Sequence, residues 1–490
     1  MDRKIPWSVL KNTGVKGKLY YAVKGLYDTV MVCVRDKCVY SDFFKCPRGV
    51  KQGCLLSPQL FSFFINELAT EIVKGGKHGV QMIPNAAELF LMLFADDVVL
   101  LSDSVVGLQN QINLLKENSD RLHLTVNLDK TKVMVFRKGG RLAAREKWWF
   151  GNAELEVTNA YKYLGILFTT KLSLNVGWAE VCRKGKKGVM AILKTMRKLS
   201  SMDMSLFFKL FDSQIVPMLT YGAEVWGSLH SRQIELVHTF AIKRFFNVPL
   251  HSSNRLLYGE TGRYSLYIVT YVKCIKYWLR LTQLPRTRLC RQAYEMLLQQ
   301  EGIGKRNWAY NVKRILMESG FSFVWNNQGV ANEPRFIANL KERLVDCFRQ
   351  NWHAGLESNE VYEWSFSFKD VFQQEKYLTC LTNKWHRDSL LRFRLRVLGL
   401  NTKKFWFDSE ISDALCPFCD LVEDEMHFVF FCKAYQHIRQ RCHFTPNHIS
   451  RASLLRILRS ENEELLKCFA KYIAEADGCR KKYLSVGHAT

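Results

Sequence analysis

The sequence is short of acid. Its 490 residues hold 46 Asp+Glu against 71 Lys+Arg, a formal net charge of +25, and the isoelectric point is about 9.5. A whole chain this basic favours a polyanion partner, with nucleic acid the first candidate. It also lacks any run of about 18 or more apolar residues, so no membrane span is expected. The N-terminal stretch MDRKIPWSVL has no long apolar core of the kind a secretory signal needs. The 15 cysteines are therefore expected to be mostly reduced thiols in an intracellular setting. Neither an internal repeat nor a low-complexity tract is visible. What is present is 48% hydrophobic and 13% aromatic residues, which excludes a disordered chain and is enough for sizeable cores in about two to four domains.

Along the chain, residues 1–30 carry apolar residues at helical spacing. TVMVCVRDKCVYSDFFKC alternates apolar and polar residues and predicts a strand pair. GVKQGCLLSPQLFSFFINELATEIV reads as a Gly-rich turn entering a helix, with Ser57 as N-cap and Pro58 at the first helical position. ELFLMLF and VVLLS read as short strands around a tight turn. A helix over Val105–Arg121 should follow, with Leu108, Ile112 and Leu115 on one face. LTVNLDKTKVMVFRKGG predicts a further strand and turn, and AYKYLGILF another strand. From about 175 the period becomes helical, so a domain boundary is placed near 172. A basic cluster of Arg183, Lys184, Lys186, Lys187, Lys194, Arg197 and Lys198 opens that region. Between 300 and 375 the signal is weak and only partly helical.

One segment poses a chemical question. In FLMLFADDVVLLSDS two adjacent carboxylates, Asp96 and Asp97, interrupt an apolar run. Burying one unpaired carboxylate is costly, and two neighbours also repel. A hairpin resolves this by lifting both to a turn at a sheet edge. There they can hold Mg²⁺, which prefers oxygen ligands. Two such ions can align an attacking hydroxyl and a triphosphate for in-line displacement. A solvated Asp-Asp turn is the bland alternative for the pair alone.

The neighbouring blocks favour the chemical reading. RGVKQGCLLSPQLFSFFINEL precedes the hairpin, and LTVNLDKTKVMVF and then YKYLGI follow it. In order and spacing this set resembles the reverse transcriptases of non-LTR (LINE-type) retrotransposons, whose blocks read G-V-x-Q-G-x-x-L-S-P, F/Y-A-D-D, N-x-x-K-T and Y-x-Y-L-G. The likeness continues through LTYGAEVWG and LLYGETGRYSL and covers most of residues 1–290. The resemblance implies an RNA-directed DNA polymerase that uses an RNA template, a DNA primer, dNTPs and Mg²⁺, in the nucleus and cytoplasm. Asp96 would ligate the catalytic metals with Asp97 supporting it. Phe94 and Ala95 would shape the hairpin near the primer end. Gln52 and Gly53 would lie where template base and incoming nucleotide stack, and Lys130 or Lys132 would contact the triphosphate or protonate pyrophosphate. For the lysines a solvated strand end is the alternative, and for Gln52 and Gly53 a plain turn before a helix.

The family's further metal-binding aspartate, in a block like F-x-D-x-x-x-A-F-D, has no counterpart in this sequence, and neither do the fingers. Asp2 is a poor substitute. The chain is thus expected to be the C-terminal part of such an enzyme, or the product of a start site placed too far downstream, with little activity alone. The alternative is a catalytically inactive nucleic-acid-binding remnant.

Near the C-terminus, CPFCDLVEDEMHFVFFC presents Cys416, Cys419, His427 and Cys432. The pattern C-x2-C-x7-H-x4-C supplies one tetrahedral Cys₃His set of the structural zinc type. Buried reduced cysteines with a core histidine are the alternative, and His437, His443 and Cys442 are expected to be bystanders. Upstream, KWHRDSLLRFRLRVLGL interleaves Lys384, His386, Arg387, Arg392, Arg394 and Arg396 with Trp385 and Phe393. This suits phosphate neutralisation with base stacking, or equally an amphipathic helix with a solvated basic face. The acidic turn Glu423–Glu425 is expected to be exposed, and a fragment of residues 376–490 to fold around one zinc. The expected architecture is α+β: a partial polymerase palm (1–172), a helical thumb (173–300), a helical connector (301–375) and a small C-terminal zinc-binding domain (376–490).

Overall fold

The computed structural model describes residues 4–47, 49–76, 78–83, 87–137, 139–140, 142–143, 145–200, 202–229, 232–359, 362–404, 414–444 and 448–487. Arg48, at the head of the first conserved-looking block, lies outside them. The chain divides into two compact units. The first joins Met1–Leu174 to Leu284–Ile303, and the second joins Asn175–Gln283 to Gly304–Thr490.

The first unit is mixed. Helices α1 (Lys4–Asn12) and α2 (Gly17–Asp28) precede two nested antiparallel pairs. These are β1 (Met31–Val32) with β4 (Phe44–Lys45), and β2 (Arg35–Asp36) with β3 (Val39–Tyr40). Helix α3 (Ser57–Lys74) buries Leu60, Phe64, Ile65, Leu68 and Ile72 on one stripe. Strands β5 (Val80–Ile83) and β6 (Ala87–Leu89) pair next, then β7 (Leu91–Phe94) and β8 (Asp97–Leu100). Helix α4 (Val105–Arg121) has the predicted limits, and the Ser104 hydroxyl caps it by accepting from Gly107 N at 3.1 Å. Strand β9 (Lys132–Val133) runs parallel to β12 (Glu156–Val157), and β10 (Trp149–Phe150) pairs with β11 (Ala153–Glu154). Every sheet among the described residues has two strands. The helix Leu289–Gly302 returns to this unit and packs on β5 and β6.

Two local expectations are corrected here. Ser57 is the first helical residue rather than the cap; Leu56 caps without a side-chain bond. The Ser57 hydroxyl instead bonds Lys51 O at 2.6 Å and Tyr27 Oη at 2.9 Å. AYKYLGILF is not one strand but a hairpin of β13 (Ala160–Tyr163) and β14 (Ile166–Thr169). Its turn residues Leu164 and Gly165 both take positive φ, 46° and 84°. That backbone matches the twist of the flanking strands.

The second unit is helical among its described elements, apart from one isolated bridge between Leu415 and Val422. Helix α5 (Asn175–Lys198) buries Cys182, Gly185, Val189, Ile192, Leu193 and Met196, and packs on the helix Arg232–Phe245. Residues 300–375 are far more regular than their sequence signal. They hold helices Trp308–Glu318 and Glu333–Glu357, the latter capped by Asn332 with Pro334 in its first turn. The helices Lys384–Arg394 and Glu463–Gly487 pack together along their length.

Candidate active site and metal centre

Hairpin β7–β8 carries the paired aspartates. Phe94 faces Asp97 across the ladder, so Ala95 and Asp96 form a two-residue turn, with Ala95 at φ 51°. Cross-strand pairs share a face. The pairs Leu91↔Leu100 and Leu93↔Val98 seat one face on Ile65, Leu68 and Ile72 of α3. Phe94 and Asp97 lie on the other, and Phe94, Ala95, Asp96 and Asp97 are all exposed. The costly burial of two carboxylates is thus avoided by geometry. Tyr163, at the end of β13, has its phenol pushed up by partial burial and then by the Asp97 charge. The Tyr161–Ile166 block thus lies within reach of the Asp97 charge.

Gln52 and Gly53 form an exposed turn before α3, and Gly53 adopts φ 81°. Apart from its chain neighbours, no atom of the described residues lies within 4 Å of where its Cβ would be, so backbone conformation rather than space favours glycine. The loop is braced from below. Tyr27, 2% exposed, bonds Ser57, which bonds the Lys51 carbonyl. The same brace reaches Cys54. Its thiol is lowered to about 7, first by the Leu56 backbone N–H and then by the Tyr27 hydroxyl. Sequence reasoning missed Tyr27 and Cys54; the only available signal was a cysteine one residue beyond Gly53.

Residues 7–168 match the family described as Reverse transcriptase (RNA-dependent DNA polymerase). These residues resemble the reverse transcriptases of non-LTR retrotransposons. A putative transposon-derived protein of Caenorhabditis elegans is 27% identical over 173 residues, 34% of this chain and 60% of that protein. A Retrovirus-related Pol polyprotein from a type-2 retrotransposable element of Drosophila melanogaster is 29% identical over 220 residues, 43% of this chain and 20% of the polyprotein. The RNA-directed DNA polymerase from mobile element jockey of the same fly is 21% identical over 247 residues, 49% and 26%. The chain therefore spans less than two thirds of each of these relatives.

Within the matched segment the two lysines differ. Lys130 is exposed in a turn, and its carbonyl accepts from Tyr161 Oη at 3.1 Å. Lys132 lies on β9 and pairs with Glu156 at 2.6 Å, so its charge is already partnered.

The Cys/His residues converge in the second unit. One ligand atom from each of Cys416, Cys419, His427 and Cys432 lies within 4.8 Å of every other. Cys416 Sγ and Cys432 Sγ are 3.9 Å apart, and Cys419 Sγ and His427 Nε2 3.3 Å. Zinc bonded at ~2.3 Å to sulfur and ~2.0 Å to nitrogen needs donors roughly 3.5–3.8 Å apart, so the set fits. Burial pushes the Cys416 thiol up to about 12, raises Cys432 and lowers His427. All three shifts favour neutral side chains, which a divalent cation would reverse for the thiols. Cys442 is buried outside the cluster.

Two expectations about this region fail. Glu423 and Glu425 are buried, not exposed. Arg480 clamps Glu423 at 2.6 and 2.7 Å, and Asn401 N donates to it at 2.7 Å. Arg396 holds Glu425 through two bonds. The Lys384–Arg394 helix is not a solvated basic face either. Arg394 is 2% exposed; its Nε donates to both carboxylate oxygens of Glu260 at 3.0 and 2.9 Å, and its Nη2 lies 3.0 Å from Glu375. Arg387 lies over Phe245 at 4.9 Å and donates to Met202 O at 3.0 Å, and Phe393 is buried. Arg394 is consumed internally because its acidic partners, Glu260 and Glu375, come from other parts of the chain. Residues 376–490 thus share buried ion pairs with residues 260 and 375, and a fragment cut at 376 would leave Arg394 without those carboxylates. The exposed basic face lies instead on α5, where Arg183, Lys184, Lys186, Lys187, Lys194, Arg197 and Lys198 are all solvated. Beside it, Lys186 and Arg244 sit over the Phe240 ring at 5.6 and 5.3 Å.

Proposed function

We propose that this chain contributes the Asp-Asp half of a polymerase centre that extends a DNA primer on an RNA template. The observation that carries the reading is the tight Phe94–Asp97 hairpin. It presents two solvated carboxylates at a strand end, inside the segment that matches the reverse transcriptase family. Magnesium held there would align the primer hydroxyl and the dNTP phosphates for in-line attack. Asp96 and Asp97 supply the oxygen ligands. Phe94, on the outer face, and Ala95, in the turn, set the carboxylates' position. The Gln52–Gly53 loop lets backbone approach the nascent base pair. Lys130, solvated, is better placed than Lys132 to meet the triphosphate.

The basic face of α5 would bind template and primer through phosphates. The Cys416–Cys419–His427–Cys432 set would hold structural zinc, tying the segment 416–432 to the helices around it. This role follows from the closed donor set, which leaves no open position for substrate.

The test is metal mapping. With an RNA–DNA primer duplex bound to the full chain, Fe²⁺ and ascorbate should cut the backbone around residues 94–98. Excess Mg²⁺ should suppress the cuts, and a D96N/D97N double variant should lose them. Cuts that persist in the variant, or none in the wild type, would overturn the metal site. RNA-templated primer extension by any longer chain carrying these residues should fall to background on Asp96→Asn.

A further inference from the structure

The Lys384–Arg394 helix leaves one aromatic ring outside. Trp385 keeps 47% of its surface in solvent, the most of any described tryptophan. Its other side rests on the Glu463–Gly487 helix at Gly478. A Cβ built there would stand 3.3 Å from Trp385 Cζ2 and 3.8 Å from Cη2. The ring therefore lies close against this helix, and a side chain at Gly478 would press it outward by a few tenths of an ångström.

Cations are anchored around this ring. Asp388, buried, holds Lys384 and lies 3.3 Å from Arg387 Nε. Asp477, also buried, holds Lys481 at 2.5 Å and lies 3.5 Å from Arg392. Two carboxylates thus face Lys384, Lys481 and Arg392 here, while Arg387 turns inward onto Phe245. Trp385 and Arg392 lie seven residues apart on the same stripe of one helix, and Gly478 and Lys481 are one turn apart on the other. The lysine heads remain at the surface: the Lys384 side chain is 35% exposed and that of Lys481 51%.

We infer that Trp385 and this rim form a stacking site for one base of a single-stranded nucleic acid, with Lys384 and Lys481 on the flanking phosphates. A flat ring backed by rigid structure supplies the stacking surface, and excess positive charge selects a polyanion over an apolar peptide. Carboxylate anchoring fixes the lysines beforehand, so less side-chain freedom is lost on binding. The inference rests on the nucleic-acid reading above and adds a second contact, on different helices from α5.

The test uses the full chain and a 5-iodouridine-substituted 12-mer RNA without secondary structure. Ultraviolet crosslinking followed by peptide mass spectrometry should mark Trp385. Trp385→Ala should weaken 12-mer binding by about 5- to 100-fold while leaving the slope of log affinity against log salt unchanged, because stacking neutralises no phosphate. Trp385→Phe should recover part of the loss. Gly478→Ala, which shifts the ring outward by a few tenths of an ångström, should weaken binding, though less than Trp385→Ala. Wild-type affinity in Trp385→Ala, together with crosslinks confined to α5, would overturn the stacking site and leave the α5 reading intact. No binding by the wild-type chain at low salt would remove both.

Discussion

At the scale of single residues, the hairpin and the Gln52–Gly53 loop illustrate what spacing can and cannot reveal. Asp96 and Asp97 were legible because two carboxylates in an apolar run have few stable placements, and a turn is one of them. Cys54 was not legible, because its low-lying thiol depends on the Leu56 backbone N–H at the helix start and then on Tyr27, 27 residues away, reaching over through a hydroxyl. A group at about 7 is half ionised near neutrality, so Cys54 should alkylate with iodoacetamide far faster at pH 7 than buried Cys274, raised to about 12. Its rate should inflect near pH 7, and Tyr27→Phe should move the inflection upward. Quantitative mass spectrometry of labelled peptides reads both, and equal rates for the two cysteines would contradict the assignment.

At the scale of elements, helix α4 was readable to its ends from its apolar stripe, and the structure adds a Ser104 cap at its start. The β13–β14 hairpin was not, since its turn puts Leu164, an ordinary side chain, at φ 46°. The helix Glu333–Glu357 could have been found from Asn332 and Pro334, had cap chemistry been weighed above its diluted stripe. The basic helix at 384–394 failed for another reason: its partner Glu260 lies 134 residues from Arg394, and no local pattern announces such a pair. Breaking it strands a buried charge, so Glu260→Ala should cost ~3–5 kcal/mol in chemical denaturation. A second buried acid makes a pH prediction. Glu235 is opposed by burial, but bonds from His238, Ser265 and Tyr258 more than offset this and hold it at about 2. Its folded value lies below the unfolded ~4.3. Its contribution, up to ~3 kcal/mol, is therefore complete above pH ~4.3 and is lost as pH falls toward 2. The stability gap between wild type and Glu235→Gln should accordingly narrow over that window.

At the scale of the whole molecule, charge and metal set the expectations. Binding through the α5 cations should make log affinity for nucleic acid fall linearly with log salt. Reversing Lys187 and Lys194 to Glu should flatten that slope, as anisotropy titrations would show. The full chain should carry one zinc by elemental analysis, and Cys419→Ser should lose it while Cys442→Ser retains it. Chelation should lower thermal stability well beyond the segment 416–432, because Glu423 and Glu425, between the ligands, are clamped by Arg480 and Arg396. A chelated chain melting like the untreated one would exclude that linkage. The division of the chain carries a consequence for its synthesis. The first unit needs Leu284–Ile303, made only after most of a long helical excursion has left the ribosome. Until then β5 and β6 wait without the helix that packs on them, while the excursion itself waits for residues beyond 304. A nascent chain stalled anywhere from 175 to 283 holds neither unit complete, and those lengths should bind chaperones most strongly during translation.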